Sequence, residues 1–302
     1  MDKTVVGFIG VGQMGSAIAQ RLLSAGYSVI AADPDTAALA RLRAQGAGVA
    51  ASPREVADKA SICFGCLPSA DVCRVVTLGE NGLMHGRAIR VYVECSTIGP
   101  RAMREMADAL RQHGIELADA PISGGVASAH AGTLSTAVAT AADVLTAIRP
   151  LLGTYAHKIV DAGHEPGLAQ VYKLVNQGLT FASVVLSAEA IAAGVKLGAD
   201  PSRLLEFLNA STGRNWATST KFPDTVLRGH IGQGDLSIIL KDMQLYLQMC
   251  RDAGCPAFVG AAADIVWQTT AALGGTSADL ASVVTLYEQC TGVPIRDGAV
   301  RE

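Results

Sequence analysis

Three glycines, Gly10, Gly12 and Gly15, follow a short apolar run, Val5 to Ile9, and open a stretch of helical spacing over residues 14–25. This is G-x-G-x-x-G between a strand and a helix, the setting its mechanism requires. Gly10 permits the tight turn, Gly12 lets the backbone approach a pyrophosphate, and Gly15 lets the helix pack close to the strand. The helix start then offers free N–H groups and its positive dipole end to the phosphates. Asp33 ends the second strand-like run, eighteen residues past Gly15. A carboxylate there accepts hydrogen bonds from the adenosine ribose and repels a 2′-phosphate, which favours NAD over NADP. No Arg follows it; the next residues are Pro34 and Asp35. A glycine turn beside a helix-capping Asp is the plain alternative, and it leaves the joint alignment of these features unexplained.

Other residues have the types and spacing for proton transfer and anion binding. Oxidising an alcohol by hydride transfer leaves a proton on oxygen. A lysine can take it if desolvation or a neighbouring cation lowers its pKa towards neutrality. Lys173 stands in such a setting, among Val171, Leu174, Val175 and Leu179, and Asn176 is one turn later on the same helix face. A solvated helix lysine is the alternative, and the residues alone leave both open. Ser123-Gly124-Gly125 follows a strand and a proline, and successive glycines form either a concave anion-binding array of N–H groups or a flexible turn. Lys241 reads as a cation close to a cofactor or as half of a charged pair on a helix surface. Asn209 to Trp216 offers polar and basic groups from a loop, or is a capped interhelix turn.

The elements that must hold these residues change character along the chain. Strand-like runs at Val5–Ile9, Tyr27–Ala32, around Val49, Ile62–Leu67, Arg90–Val93, Glu116–Ala120, Leu134–Ala139 and Ala156–Val160 alternate with helical segments. That implies a parallel sheet with helices on both faces. After about Gly163 the pattern is helical almost throughout, opening with one long helix over 167–196 whose first turn suits Pro166. Later helices are punctuated at 198–201, 211–213, 229–234, 254–256 and 274–275, and the residues after Val293 read as a tail. The expected architecture is an α/β Rossmann domain, residues 1–163, then an all-α C-terminal domain, residues 164–302, joined by a long interdomain helix.

Bulk properties narrow the function. The chain has 302 residues, enough for two domains. It is 50% hydrophobic with a formal charge of −3 and has no basic stripe, so nucleic-acid binding is not indicated. Its apolar stretches are broken by Gly, Asp or Lys, and it opens without a signal-like segment; the expectation is a cytoplasmic protein with no membrane partner. Among seven cysteines, Cys63 and Cys66 form a C-x-x-C. Residues three apart on a strand point to opposite faces, and no second pair completes a metal site. The cysteines read as small core hydrophobes of a reduced compartment, with no metal.

Taken together, these motifs resemble the β-hydroxyacid dehydrogenases along essentially the whole chain. Gly7 to Gly15 is similar to the family's opening signature, including Gln13 and Met14 before the last glycine. Leu67-Pro68 resembles the end of its fourth strand and Ser96-Thr97 the pair after its fifth. Asp119 to Gly125, followed by Gly132-Thr-Leu134, resembles its substrate-loop signature. Lys173-Leu-Val-Asn176 resembles its catalytic motif, and Lys241-Asp242 and Thr291-Gly292 complete the set. Departures are Gln177 where a second Asn is common, Ala139-Thr140 for two glycines, Glu94-Cys95 for an Asp, and 234–240 without the usual Phe.

The resemblance implies Lys173 as general acid/base and Asn176 as a substrate ligand. It places Ser123, Gly124 and Gly125 at the substrate carboxylate, Thr97 near the nicotinamide and substrate, and Gly10, Gly12, Gln13, Met14, Gly15, Asp33, Leu67, Pro68 and Lys241 at the cofactor. The expected activity is NAD-dependent oxidation of a small 3-hydroxy acid, threonate-, hydroxyisobutyrate- or hydroxy amino acid-like. The alternatives are an imine reductase of the same architecture and a non-catalytic nucleotide-binding module. The apolar helical domain suggests a homodimer or homotetramer.

Overall fold

The computed structural model describes residues 4–228 and 235–295. The glycine-rich turn expected at 229–234 and most of the expected tail lie outside them. Two compact units divide within one helix: Met1–Lys173 and Leu174–Glu302.

The first unit is built on nine strands: β1 Val5–Ile9, β2 Ser28–Ala32, β3 Gly48–Val49, β4 Ile62–Gly65, β5 Val91–Glu94, β6 Glu116–Asp119, β7 Ile122–Ser123, β8 Leu134–Ala139 and β9 Ala156–Gly163. They form one sheet in the order β3-β2-β1-β4-β5-β6-β8-β7, with β9 on β8. β1 to β6 are parallel, with Phe8 opposite both Ala31 and Phe64. The pattern of apolar runs and helices foretold that arrangement. It did not foretell that β8 runs antiparallel to β6 and β7, because a two-residue strand such as Ile122–Ser123 is too short to leave a periodicity.

Helices cover both faces. One face buries Phe8, Ile18, Leu22, Phe64, Val93 and Tyr155. The other buries Ile9, Ile30, Tyr92, Met103, Leu110 and Leu117. The two cysteines of the C-x-x-C divide between these faces: Cys63 belongs to the second cluster and Cys66 packs against the first. Burial pushes both thiols up to about 12, so they remain protonated and unreactive at neutral pH.

The second unit is helical, with helices at Pro201–Ala210, Leu236–Asp252, Phe258–Gly274 and Ser282–Thr291 beside most of the long helix Leu168–Lys196. Its core gathers Phe181, Val184, Ile191, Phe222, Met243 and Trp267. Trp267 is fully buried and donates its indole N–H to the Phe181 carbonyl at 3.3 Å. The long helix is the one described helix with the length and mean hydropathy to cross a membrane, and half of its most apolar stretch is buried inside the fold. The sequence predicts an interrupted stretch there. Lys173 and Glu189 do interrupt it, but the residues between them carry no charge, so the mean hydropathy stays high across a single charge.

The division between units comes later in the chain than Gly163. The reason is a set of bonds that hold the start of the long helix to the sheet. Pro166 is not in the first helical turn; Gly167, at φ +94°, precedes the helix and donates its N–H to Asp119 at 3.0 Å. A left-handed backbone there favours glycine.

Candidate active site

The glycine loop is shaped as its spacing demands. A Cβ at Gly10 would meet the Cys66 carbonyl and come within 2.8 Å of the Leu67 side chain. A Cβ at Gly15 would collide with the Gly10 carbonyl oxygen. Gly12, by contrast, faces open space with nothing within 4 Å. It caps the helix Gln13–Ser24, and no side chain bonds to that helix's first N–H groups. Open space above free N–H groups at a helix N-terminus fits a pyrophosphate. Gln13 is exposed and Met14 half-buried at that same first turn.

Asp33 is tied into this loop. Its Oδ2 accepts from the Val11 N–H at 2.6 Å and its Oδ1 from the Asp35 N–H at 2.7 Å. Each carboxylate oxygen keeps a second lone pair, so Asp33 is oriented by backbone and still able to accept from a ribose. Asp35 caps the next helix through the N–H groups of Ala37 and Ala38. The capping role weighed for Asp33 thus falls to Asp35.

Past β4 and β5 the chain closes around a buried polar cluster. The Leu67 N–H donates to Ser96 Oγ at 2.7 Å, and exposed Pro68 follows. Fully buried Glu94 accepts from the Ser96 N–H at 2.9 Å and from the Tyr92 hydroxyl at 2.8 Å. Burial first, and the Glu94 carboxylate beside it second, hold the Tyr92 phenol well above its ordinary range. Thr97 is half-buried immediately after.

Gln170 is the centre of this cluster, and sequence reasoning missed it. Its side chain is fully buried. Oε1 accepts from the Ile98 and Gly99 N–H groups at 2.9 and 3.0 Å, and Nε2 donates to the Ser96 carbonyl at 3.1 Å and Asp119 Oδ1 at 2.8 Å. A carboxamide has two donors and two acceptor sites, and all four are used. Asp119 Oδ2 also accepts from the Gln170 N–H at 3.2 Å. Burial raises the Asp119 carboxyl to about 6 against these bonds, which pull it down. Lys173 stands one turn beyond Gln170, half-buried. The only sequence signal was a polar residue on an apolar helix, three before the lysine.

Ser123 pairs with Ser135 across β7 and β8. Gly124 and Gly125 follow with φ +135° and +78° and begin the short helix Gly125–Ala131. Gly124 is hemmed in by Ser128 and Leu134, whereas Gly125 faces open space.

In the helical unit, Asn176 is exposed and Gln177 buried. Asn176 Nδ2 donates to Gln177 Oε1 at 3.3 Å, and Gln177 Nε2 donates to Asp242 Oδ2 at 2.7 Å. Lys241 Nζ lies 2.8 Å from Asp242 Oδ1. Asp242 is only 2% exposed, so the surface-pair reading of Lys241-Asp242 fails for the acid. In the Asn209–Trp216 stretch, Asn215 caps the following turn through the Ala217 and Thr218 N–H groups, and Asn209 donates to the Thr218 carbonyl. Only Arg214 and Trp216 of the larger side chains there remain exposed.

Comparison with known proteins matches residues 5–163 to the NAD binding domain of 6-phosphogluconate dehydrogenase, and residues 167–287 to a family described as NAD-binding of NADP-dependent 3-hydroxyisobutyrate dehydrogenase. The chain belongs to the β-hydroxyacid dehydrogenase family. Among its β-hydroxyacid dehydrogenase relatives, a 2-(hydroxymethyl)glutarate dehydrogenase from Eubacterium barkeri is 32% identical over 99% of this chain and 100% of its own. Human mitochondrial 3-hydroxyisobutyrate dehydrogenase is 32% identical over 93% of this chain and 86% of its own. A 3-hydroxyisobutyrate dehydrogenase of Mycobacterium tuberculosis, solved with L-serine, superposes with a TM-score of 0.84 at 27% identity, covering 94% and 99% of the two chains. In this family setting the first unit is an NAD(P)-binding Rossmann domain followed by a helical region.

Proposed function

We propose that the chain is an NAD-preferring dehydrogenase that oxidises the 3-hydroxyl of a small 3-hydroxy acid. Lys173 is its general acid/base, Asn176 a substrate ligand, and Ser123 to Gly125 the carboxylate cradle. The observation that carries this reading is the buried bond set of Gln170. It ties the turn before Lys173 to Ser96 and Asp119, at the carboxyl ends of β5 and β6. The glycine loop after β1 and Leu67 after β4 occupy the same edge, where open α/β sheets bind their ligands.

A bound nicotinamide would supply the acceptor for the hydride of the alcohol carbon. The chain's own residues do the rest. Gly10 to Gly15 and Asp33 would hold the dinucleotide, with Thr97, Leu67, Pro68 and Lys241 as its further expected ligands. Lys173 takes the hydroxyl proton as the carbonyl forms and returns it in the reverse direction. Held by two backbone N–H groups, the Asp33 carboxylate would repel a 2′-phosphate, which supports NAD over NADP. The names of the relatives reported above, dehydrogenases of 2-(hydroxymethyl)glutarate and 3-hydroxyisobutyrate, support the substrate class. The protein is taken to act in the cytoplasm as a homodimer or homotetramer.

The test is NADH or NADPH formation with threonate, serine, phenylserine and 3-hydroxyisobutyrate. The expected result is turnover with at least one acid, faster with NAD. Lys173→Ala should lower kcat by roughly 10²–10⁴-fold. No turnover of any hydroxy acid, or an unchanged Lys173→Ala enzyme, overturns the proposal. Consumption of NADPH with a cyclic imine would point to an imine reductase instead, and cofactor binding without turnover to a nucleotide-binding module.

A further inference from the structure

The helix Leu236–Asp252 ends on a glycine turn with a cysteine on each side of it, Cys250-Arg-Asp-Ala-Gly-Cys255. Gly254 has φ +64°, a left-handed backbone that favours glycine. It donates its N–H to the Arg251 carbonyl at 3.0 Å, and Cys255 donates its N–H to the Cys250 carbonyl at 2.9 Å. These two bonds make a Schellman ending, in which the residues joined by the wider bond bring their side chains into contact. The chain uses the same ending elsewhere. Leu42 and Ala47 are joined in this way and lie in one core cluster; Leu110 and Ile115 are joined in this way and lie in another. The end of the long helix supplies the distance. There Gly198 donates to the Val195 carbonyl and Ala199 to the Gly194 carbonyl, both at 3.0 Å. A Cβ on Gly194 would stand 3.9 Å from the Ala199 Cβ. A disulfide needs Cβ atoms about 3.5–4.5 Å apart.

At positions 250 and 255 both side chains so placed are free thiols. Cys250 is buried, whereas Cys255 is exposed and departs from the core role that the sequence suggests for the cysteines. Cys255 Sγ donates to the Pro256 carbonyl over 3.9 Å, a weak contact that rotation about its Cα–Cβ bond releases. Both thiols lie beside one phenol. Burial first, then a hydrogen bond with Cys250 and the neighbouring thiols of Cys250 and Cys255, raises Tyr246 above its ordinary range.

We propose that Cys250 and Cys255 are a dithiol modification site that closes to a disulfide on reaction with a small-molecule disulfide such as oxidised glutathione. Cys255, the accessible thiol, loses its proton, and its thiolate attacks one sulfur of the small disulfide. That S–S bond breaks and one small thiolate leaves. Cys250 then loses its proton, and its thiolate attacks Cys255 Sγ, breaking the mixed disulfide and releasing the second small thiolate. The dithiol gives up two electrons and two protons, and the small disulfide becomes two thiols. The backbone between the pair is already folded into the turn, so closure needs side-chain rotation alone. The closed bond ties the last turn of this helix to the segment that leads into the helix Phe258–Gly274. This site takes no part in hydride transfer and stands whether or not the chain turns over a hydroxy acid.

The test uses the full chain carrying Cys290→Ser, which removes the other exposed thiol. The folded protein is incubated with mixtures of oxidised and reduced glutathione, alkylated without reduction and cut with trypsin. Arg251 stands between the two cysteines, so their peptides part unless a disulfide joins them. The expected product is a protein lighter by two hydrogens, whose Cys250 and Cys255 peptides are joined and separate again on treatment with dithiothreitol. Because the turn holds the two side chains together, half-closure should need a ratio of oxidised to reduced glutathione roughly tenfold or more below that for the urea-unfolded chain. Cys255→Ser, at an exposed position, should abolish the joined peptides. Fragmentation of the joined peptides from the wild type identifies the same pair without any substitution, should Cys290→Ser fail to fold. A glutathione adduct that persists on Cys255, a Cys255 joined to another cysteine, or no reaction at all overturns the proposal. So does a half-closure ratio in the folded protein no lower than in urea.

Discussion

Asp119 shows how a single buried carboxyl can report on the frame that carries the site. It accepts from the Gly167 N–H, the Gln170 N–H and the Gln170 side chain, and burial still raises it from 3.8 to about 6. Between those two values the folded protein binds more of this proton than the unfolded chain. The contribution is therefore fully present below about pH 4 and is lost as the pH rises through about 6. Two pKa units correspond to about 3 kcal/mol. Denaturant unfolding of the wild type and of Asp119→Asn, at pH 4 and pH 7, should show the wild type losing about 2–3 kcal/mol relative to the variant across that interval. A pH-independent difference between the two would mean that the carboxyl titrates in its ordinary range.

At the scale of elements, the junction of β1 with the helix Gln13–Ser24 separates two uses of glycine that look identical in sequence. Gly15 is a packing glycine, since its missing Cβ lies where the Gly10 carbonyl stands. Gly12 is a ligand glycine, since nothing of the protein occupies the space above it. Gly15→Ala should therefore destabilise the fold by about 1–3 kcal/mol through overpacking, lowering the melting temperature of the cofactor-free protein. Gly12→Ala should leave that melting temperature in place and weaken NAD binding by on the order of tenfold or more, about 1.4 kcal/mol per decade. Calorimetric melting and cofactor titration of both variants separate the two roles. Equal effects of the two substitutions would contradict the assignment.

Over the molecule as a whole, the helical unit leaves large apolar side chains uncovered. Phe258 is 83% exposed, Val259 70%, Leu179 71% and Ile265 64%. Phe258 and Ile265 are seven residues apart on one helix and share a face. Scattered exposed apolar residues are ordinary, whereas several on one helix face are what a contact between copies of the chain would use, and we propose that use for the Phe258–Ile265 face. Sedimentation equilibrium should give a dimer or tetramer for the wild type, and Phe258→Glu with Ile265→Glu should shift it towards the monomer without unfolding it. A monomeric wild type would refute the expectation.

The sequence alone determined what depends on local spacing. G-x-G-x-x-G with Asp33 implied a dinucleotide loop because each glycine answers a backbone constraint within a few residues of itself. Strand and helix periods marked β1, β2, β4, β8 and the long helix, because burial on a regular element repeats along the chain. The tertiary structure alone decided what depends on neighbours distant in sequence. Gln170 looks like any helix glutamine, yet its four side-chain bonds reach residues 51 to 74 positions away. Asp242, which the sequence leaves open as half of a surface pair, is buried against Gln177, 65 positions earlier. The antiparallel β8 and the end of the first unit within the long helix had no local signal either. A buried polar group is satisfied by whatever partner the fold brings to it, and that partner's place in the chain follows no period.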